Sequence, residues 1–385
     1  MRRSIITGID IGTAFIRVVV VEIIQGVNTP QVLGIGISPS VGLRHGYISH
    51  FDDAVKSIQS AILMAEKRAG IKIKEVFVGL GGISLHSLVG TGSVIISRAD
   101  GEVSDLDVKK VLYEAETKLK DPNKHIVYSL PIRFFLDDKE IFGRPHGLKG
   151  TKLNSETFFV LSHFQHINDA EKALESIGLD IIDIVPSPIA ASMVTLSRQQ
   201  KTAGVLLANI GSETVSLCIF ENNVPISLSV LPVGSINITN DLALGLRITL
   251  DEAEKIKLGD TTHSFPTRKL SEIINARLSD IFELIDAHLR KIHRSGLLPA
   301  GIVLTGGGAN LNNIDEHART ILKLPARIGI PIHRESEKEH QEDASWAVAY
   351  GLCLWAPEEK SVSQIQYWFN KGKRASGQWL KQFLP

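Results

Sequence analysis

The chain has 385 residues, 43% of them hydrophobic and 22% charged, which is the composition of a globular protein with room for two or more domains and excludes a disordered one. Lysine plus arginine equals aspartate plus glutamate at 42 each, so no net charge attracts nucleic acid and no nucleic-acid partner is expected. Cys218 and Cys353 lie far apart in apolar surroundings, which favours buried thiols in the cytoplasm over a disulfide.

The first feature along the chain is a glycine turn between two apolar strands. Gly8-Ile9-Asp10-Ile11-Gly12-Thr13 is preceded by Ile5 and Ile6 and is followed by four valines from Val18. Backbone N–H groups in such a turn can cradle a phosphate, and the Asp10 carboxylate is suited to hold the water shell of Mg²⁺. Alone, this stretch favours an ordinary hairpin turn whose aspartate bonds its own backbone.

Predicted strands and helices follow this turn, and the sequence pattern changes near Ile83. Strands are predicted at 16–23, 32–37, 76–80, 93–98, 127–135 and 181–185, and helices at 51–70, 104–119, 163–178 and from Pro186. Ser104 and Asp107 predict a capping box at one helix start. The block 83–160 carries no catalytic constellation, so partner contact is its expected role, with a purely structural insertion as the alternative.

The glycine turn recurs in the second half of the chain. An apolar strand leads into Asn209-Ile210-Gly211-Ser212-Glu213-Thr214, and another apolar strand follows. A further apolar strand ends at Thr305, before Gly306-Gly307-Gly308, a platform that a flat ring or another backbone can approach closely. Two such turns and a platform predict a duplicated fold that closes on a nucleotide, and the chain has no competing GxxxxGK[ST] loop.

Helices are also predicted around and after this platform, at 240–247, 250–257, 270–295, 311–322 and 344–355. Glu252 and Lys255 lie three residues apart on one helix face, where they reach one ligand together or form a solvated ion pair. Ala347, Ala349 and Gly351 favour tight packing of the last helix against another. The histidines show no metal-binding spacing, and no catalytic triad is recognisable.

The last segment combines aromatic and basic residues. After a polar linker at 356–363, residues 364–385 carry large apolar side chains on one face of a predicted helix and basic ones on the other. This pattern is typical of a helix lying in an anionic membrane surface, and a helix docked on protein is the alternative. The expected membrane-binding residues are Ile365, Trp368, Phe369, Lys371, Arg374, Trp379, Leu380, Lys381 and Phe383.

Together these motifs resemble the FtsA family of bacterial cell-division proteins, in the actin-like ATPase superfamily, essentially from end to end. The stretches that carry the resemblance are 8–13, 209–214, 305–310, 241–247 with 252–257, and the tail. The resemblance implies an α/β fold of actin-like duplicated domains around a nucleotide cleft, with an inserted α+β subdomain and a C-terminal amphipathic helix. It implies a protein that binds ATP, forms filaments with itself and ties the C-terminal tail of the tubulin-like FtsZ to anionic lipids. Its place is the cytoplasmic face of the inner membrane at the division site, where it recruits later division proteins.

The resemblance also implies domain boundaries and site residues. The first actin-like domain is expected at 1–82 and 161–200, with the insert at 83–160. The second domain is expected at 201–234 and 301–355, and its outer subdomain, at 235–300, is expected to contact the nucleotide and the FtsZ tail. The linker is expected at 356–363 and the membrane helix at 364–385. Asp10 is expected to hold Mg²⁺ through water. The other expected nucleotide-binding residues are Gly12, Thr13, Arg17, Gly211 and Thr214 at the phosphates, Glu252, Lys255, Gly306, Gly307 and Gly308 around ribose and adenine, and Asn209, Gly234 and Asn310.

The second turn departs from the family pattern of aspartate, three glycines, threonine and aspartate. Asn209, Ser212, Glu213 and Ser216 stand at the altered positions. The amide of Asn209 removes a charge that would help to hold Mg²⁺, and Glu213 could bring a negative side chain near the phosphates. Ser187 stands where relatives often have a carboxylate to orient an attacking water. We therefore expect nucleotide binding with slow or absent hydrolysis, and no catalytic residue is assigned.

Two other functions share the same core. The pilus-assembly protein PilM has the actin-like core and an inserted subdomain, but the basic, tryptophan-bearing tail favours FtsA. A sugar or acetate kinase of the superfamily would need a cleft base and commonly uses the aspartate that Asn209 replaces, and it has no need of the tail.

Overall fold

A computed structural model of the chain describes residues 3–24, 30–119, 121, 123–259, 265–331 and 343–361. The described residues fall into two compact units, the first within 3–86 and 165–354 and the second within 87–164 and 355–361. The predicted membrane helix at 364–385, with each of its membrane-binding residues, lies outside the described residues.

Two sets of five strands with the same topology form the framework of the first unit. The first set contains β1 (Arg3–Ile11), β2 (Phe15–Ile24), β3 (Gln31–Pro39), β6 (Glu75–Leu80) and β11 (Asp180–Pro186). The second set contains β12 (Val205–Ile210), β13 (Val215–Glu221), β14 (Val224–Leu231), β15 (Ile302–Thr305) and β16 (Ala326–Ile328). Two short strands, β4 (Leu43–Arg44) and β5 (Tyr47–Ile48), form a small separate hairpin. The orders are β11-β6-β1-β2-β3 and β16-β15-β12-β13-β14. In each set an antiparallel meander joins two parallel strands through its first strand. This repeat confirms the predicted duplication.

Helices cover these strands. They are α1 (Phe51–Ala69), α3 (Phe164–Glu175), α4 (Ser187–Thr195), α5 (Arg198–Ala203), α6 (Ser235–Leu246), α7 (Leu250–Lys257), α8 (Thr267–Lys291), α9 (Ile314–Leu322) and α10 (Ala347–Ser361), with 3-10 turns at Gly307–Asn310 and Ala344–Trp346. Within the described ranges, no helix has the length and apolar character to cross a membrane.

The two largest differences from the predicted helix boundaries are at the end of α10 and at the start of α6. Helix α10 continues to Ser361, past the predicted end at Trp355 and into the predicted linker, and so includes Pro357, although a proline usually stops a helix. Helix α6 begins at Ser235, before the predicted start at residue 240. Its first turn is fixed by the Asn237 side chain, which accepts a hydrogen bond from the Gly234 N–H at 3.0 Å.

Glycines set the closest contacts between these layers. A Cβ on Gly36 of β3 would lie 1.9 Å from the Ala61 carbonyl oxygen, so α1 can rest on β3 only with glycine there. A Cβ on Gly351 would lie 1.9 Å from the Ala190 carbonyl oxygen, which confirms the predicted tight packing of α10, here against α4. In the second half, α6, α7, α8 and α9 bury their apolar faces in one core with β12, β13 and β15.

The second unit contains α2 (Asp105–Thr117) and the strands β7 (His86–Ile95), β8 (Lys124–Leu136), β9 (Lys139–Ile141) and β10 (Lys152–His163), in the sheet order β7-β10-β8-β9. The predicted capping box is confirmed, since Ser104 and Asp107 exchange hydrogen bonds at the start of α2. Burial acts to raise the pKa of Asp107, but hydrogen bonds from Ser104 and Ser97 lower it to about 2. Strand β10, which pairs with β8 along its whole length, was not predicted.

Candidate nucleotide-binding site

The first glycine turn joins β1 to β2 and places two opposite charges side by side. Asp10 and Arg17 are cross-strand partners in the antiparallel register of this hairpin. The turn between them needs glycine, because a Cβ on Gly12 would lie 2.8 Å from the Phe15 carbonyl oxygen. Thr13 lies in the same turn and is half-buried.

The surroundings of this pair shift the pKa values of both side chains. Burial raises the pKa of Asp10 to about 6, although Arg17 opposes the rise. Burial lowers the pKa of Arg17, while Asp10 and Asp343 act to raise it. The Arg17 guanidinium lies over the rings of Phe15 and Trp346, at 5.3 and 5.7 Å from their centroids. Its Nε atom is buried and has no hydrogen-bond partner among the described residues.

The second glycine turn joins β12 to β13 with the same backbone plan and no charge pair. Asn209 lies opposite Ser216, and the Gly211 N–H donates to the Thr214 carbonyl oxygen at 2.8 Å. The start of α6 is fastened to this turn, since the Ser235 N–H donates to the Gly211 carbonyl oxygen at 2.9 Å.

Gly234 lies between the second turn and α6. A Cβ at this position would lie 2.3 Å from the Ser212 carbonyl oxygen and 2.8 Å from the Glu213 nitrogen. The predicted site residues Asn209, Gly211, Thr214 and Gly234 therefore belong to one compact cluster.

The glycine platform follows β15, which runs parallel to β12 with Asn209 beside Thr305. Gly306 has φ +85°, and its Cβ would lie 2.3 Å from Asn209 Oδ1. A Cβ on Gly308 would lie 2.4 Å from Ile210 Cγ2, whereas a Cβ on Gly307 would meet its nearest atom only at 4.0 Å. Gly306 and Gly308 thus hold the platform against the second turn, and Gly307 leaves open space above it.

Asp343 lies beside the glycine platform and was not predicted from the sequence. It accepts hydrogen bonds from Asn310 Nδ2 at 2.7 Å, from the Ser345 N–H at 2.8 Å and from Ser345 Oγ at 2.7 Å. Burial acts to raise the pKa of Asp343, but these bonds and the charge of Arg17 hold it below its usual value. The signal in the sequence was Asp343-Ala344-Ser345 directly before a small-residue helix, a typical N-cap pattern.

Glu213 has a partner on the opposite half of the unit. Its carboxylate accepts a hydrogen bond from the backbone N–H of His45, which precedes β5. Glu213 was predicted to bring a negative charge near the phosphates, and its contact with His45 was not predicted.

Glu252 and Lys255 on α7 differ in their surroundings. Glu252 Oε2 accepts hydrogen bonds from the N–H and Oγ1 of Thr249, both at 2.9 Å, and so caps α7. Lys255 is exposed. The lysine that α7 buries is Lys257, which donates to Thr239 Oγ1 at 3.0 Å on α6. A nucleotide contact of Glu252 and Lys255 remains a prediction.

The residues at these turns fit a nucleotide with its magnesium ion. The buried Arg17 Nε without a partner fits a phosphate oxygen, and the open space at Gly307 fits a flat ring. Within the described ranges no group of three or more His, Cys, Asp or Glu side chains could hold a metal ion. A lone carboxylate such as Asp10 matches the habit of Mg²⁺ to keep several waters and bind through one or two carboxylates and the phosphates.

Comparisons with protein families agree with this architecture. The profile of the family described as "Cell division protein FtsA" matches residues 206–351, and that of the "SHS2 domain inserted in FTSA" matches residues 82–161. The cell division protein FtsA of Pseudomonas aeruginosa is 30% identical over 380 residues, covering 93% of this chain and 90% of the relative.

Solved structures share the fold. A PilM-PilN type IV pilus biogenesis complex chain matches with a TM-score of 0.69 at 18% identity, covering 91% of this chain and 98% of that one. MreB5 of Spiroplasma citri, bound to ADP, matches with a TM-score of 0.53 at 15% identity, covering 93% and 97%. Because both identities are low, these matches establish the actin-like fold alone.

Proposed function

We propose a function that proceeds from one premise: the chain belongs to the FtsA family of cell division proteins. It binds Mg·ATP in its actin-like unit, assembles with copies of itself and ties the C-terminal tail of FtsZ to anionic lipids. It acts at the cytoplasmic face of the inner membrane at the division site and recruits later division proteins. Family membership supports the role in division, the two glycine turns support nucleotide binding, and the sequence of residues 364–385 supports the membrane contact.

The main support for nucleotide binding is the environment of the Arg17 side chain. Its buried Nε lacks a hydrogen-bond partner among the described residues, and an unsatisfied buried charged donor costs on the order of 1–3 kcal/mol or more. A phosphate oxygen supplies the missing acceptor. Asp10 beside it holds the magnesium ion through water, and the ion offsets the cost of keeping this buried carboxylate ionised.

The same cleft supports slow or absent hydrolysis. A Cβ on Gly79, the parallel neighbour of Asp10, would lie 3.3 Å from Ser187 Oγ. Ser187 is buried at the start of α4. A serine hydroxyl is a poor general base, so it does little to activate an attacking water.

Nucleotide binding is tested by replacing Arg17 with methionine. Arg17→Met keeps the length of the side chain and removes its donors, so we expect the affinity for Mg·ATP to fall at least about tenfold. Isothermal titration calorimetry measures the change. Arg268→Met is the matched control, because Arg268 is exposed on α8 and pairs with Glu272. Equal affinities in the two variants would refute a phosphate contact at Arg17.

Membrane binding is tested by adding charge to either face of the predicted tail helix. Trp368→Glu with Phe383→Glu changes the apolar face, and Asn370→Glu with Gln378→Glu adds the same charge to the opposite face. We expect the first pair to abolish co-sedimentation with anionic liposomes and the second to weaken it only modestly. Comparable losses would point to general charge repulsion in place of insertion.

A PilM-like adaptor remains the second candidate, because the PilM-PilN match has the TM-score of 0.69. Such an adaptor does not depend on the tail. If the full chain, with and without Mg·ATP, does not sediment with liposomes, the adaptor becomes the better interpretation. A phosphoryl-transfer assay with small alcohols and acids tests the remaining alternative, a small-molecule kinase.

A further inference from the structure

Glu213 makes a direct contact between the two halves of the first unit. One half contains the sheet of β1, and the other contains β12 and its neighbours. The carboxylate of Glu213 accepts a hydrogen bond from the His45 N–H, and His45 Nδ1 lies 3.4 Å from the Glu213 carbonyl oxygen. Side chain and backbone of one residue in the second phosphate turn therefore both meet one residue of the opposite half.

The partner of Glu213 is held firmly in the first half. A Cβ on Gly46 would lie 2.4 Å from Gly82 Cα, so the segment after His45 packs backbone to backbone on the loop that follows β6. His166 Nε2 lies 2.8 Å from the Gly81 carbonyl oxygen, and the His166 ring contacts the Tyr47 ring in a tilted arrangement with 4.5 Å between the ring centroids. His45 thus moves with the first half.

Glu213 is held equally firmly in the second half. The Ile236 N–H donates to the Ser212 carbonyl oxygen at 2.9 Å, and Gly234 packs against the Ser212-Glu213 peptide. The hydrogen bond between Glu213 and His45 consequently joins two rigid bodies, and stretching it requires the halves to separate.

We propose that Glu213 is a clasp across the cleft, a positioning residue that holds the second phosphate turn against the first half. The corresponding position in the first turn is Ala14, since Ile11 pairs with Ile16 and Ile210 with Val215. Only one of the two turns therefore carries the clasp. With its charge engaged by a backbone N–H, Glu213 is no free anion competing with phosphates. The benefit for nucleotide retention rests on the proposed function, whereas the clasp itself does not.

The clasp is tested by measuring the separation of the halves in the full chain. Both native cysteines are buried, so spin labels can be attached selectively at Leu63→Cys on α1 and Asn275→Cys on α8, two exposed positions. Electron–electron double resonance without nucleotide, in spin-diluted samples, reports the distance distribution. The background variants are Glu213→Ala, Glu213→Gln and the control Glu283→Ala, which removes an exposed carboxylate from α8.

Glu213→Ala is expected to increase the population of longer distances roughly tenfold, as expected for loss of one charge-assisted hydrogen bond. Glu213→Gln keeps a neutral acceptor and should fall between wild type and Glu213→Ala, and Glu283→Ala should match wild type. Unchanged urea midpoints verify that the variants are folded. Superimposable distributions for wild type and Glu213→Ala would overturn the clasp. A parallel measurement of the release rate of a fluorescent ATP analogue separates the two proposals, because failure to bind it refutes the nucleotide site and leaves the distance result standing.

Discussion

The two glycine turns of the first unit have the same backbone and different electrostatics. In each, a hairpin joins the first two strands of a meander, and the position before the turn pairs across the strands, as Asp10 with Arg17 and as Asn209 with Ser216. The first pair is charged and the second is neutral. The difference teaches that the backbone cradle can be duplicated without duplicating the charge pair across the two strands. The structural role of such a turn can therefore be separated from the role of its cross-strand charges.

The turns also differ in how closely other elements pack against them. The glycine platform packs tightly against the second turn, since a Cβ on Gly306 would lie 2.3 Å from Asn209 Oδ1. Asp10, in the first turn, is next to Gly79 on the parallel strand β6. Substitutions at the platform therefore act on the second turn through packing, whereas substitutions at Asp10 act on the first through charge.

The largest effect is expected at the platform. Gly306→Ala puts a methyl group into the backbone of β12 at a φ of +85°, so we expect the free energy of unfolding to fall by about 2–4 kcal/mol. Gly307→Ala is the control, because its Cβ meets nothing nearer than 4.0 Å. It should leave the urea midpoint nearly unchanged and still weaken ATP binding, since it occupies the open space. Similar unfolding curves for both variants would show that the platform does not press on the second turn.

Local sequence pattern was sufficient for the parts of the site that are built from neighbouring residues. Both turns, the platform and the capping box at Ser104 follow from glycine spacing and strand periodicity. The contacts between these parts could not be predicted, because local pattern does not report contacts between distant residues. His45 and Glu213 are 168 positions apart, and Asp343 and Asn310 are 33 positions apart. Strand β10 was missed for a related reason: its first half, Lys-Leu-Asn-Ser-Glu-Thr, is largely polar, and pairing with β8 stabilises it in place of local propensity.

The next effect is a pH dependence carried by the first turn. Asp10 has an ordinary pKa of 3.8 and a folded-state value of about 6, so the folded state binds more protons between these values and stability falls as the pH rises through 6. The full shift corresponds to roughly 3 kcal/mol. Because the Asp10 residue as a whole is only half-buried, solvent screening reduces this to about 1–2 kcal/mol.

Asp10→Asn removes this dependence. In the absence of Mg²⁺ we expect the variant to be more stable than wild type at pH 8 by about 1–2 kcal/mol and to show no difference from it near pH 4. Urea unfolding from pH 4 to 8 measures the difference, in which the contributions of other carboxylates cancel. Mg·ATP binding should be lost in the same variant. A stability difference that does not vary with pH would show that Asp10 is not the titrating group.

The smallest effect is expected when the second turn is given the charge of the first. Asn209→Asp places a carboxylate whose cross-strand partner is Ser216 and not an arginine, and Gly306 crowds it, so a loss of about 1 kcal/mol in the free energy of unfolding is expected at pH 8. The same carboxylate adds a second charge toward the magnesium ion and should tighten Mg·ATP binding by roughly three- to tenfold. Asn222→Asp, in the exposed turn between β13 and β14, makes the same chemical change away from the cleft and should alter neither quantity. Calorimetric titration at several Mg²⁺ concentrations distinguishes the cases, because only a carboxylate that acts on the ion makes the affinity more dependent on Mg²⁺. If Asn209→Asp weakens binding at every Mg²⁺ concentration, the neutral pair of Asn209 and Ser216 is itself adapted to the phosphates, and this chain requires a charged cross-strand pair in the first turn alone.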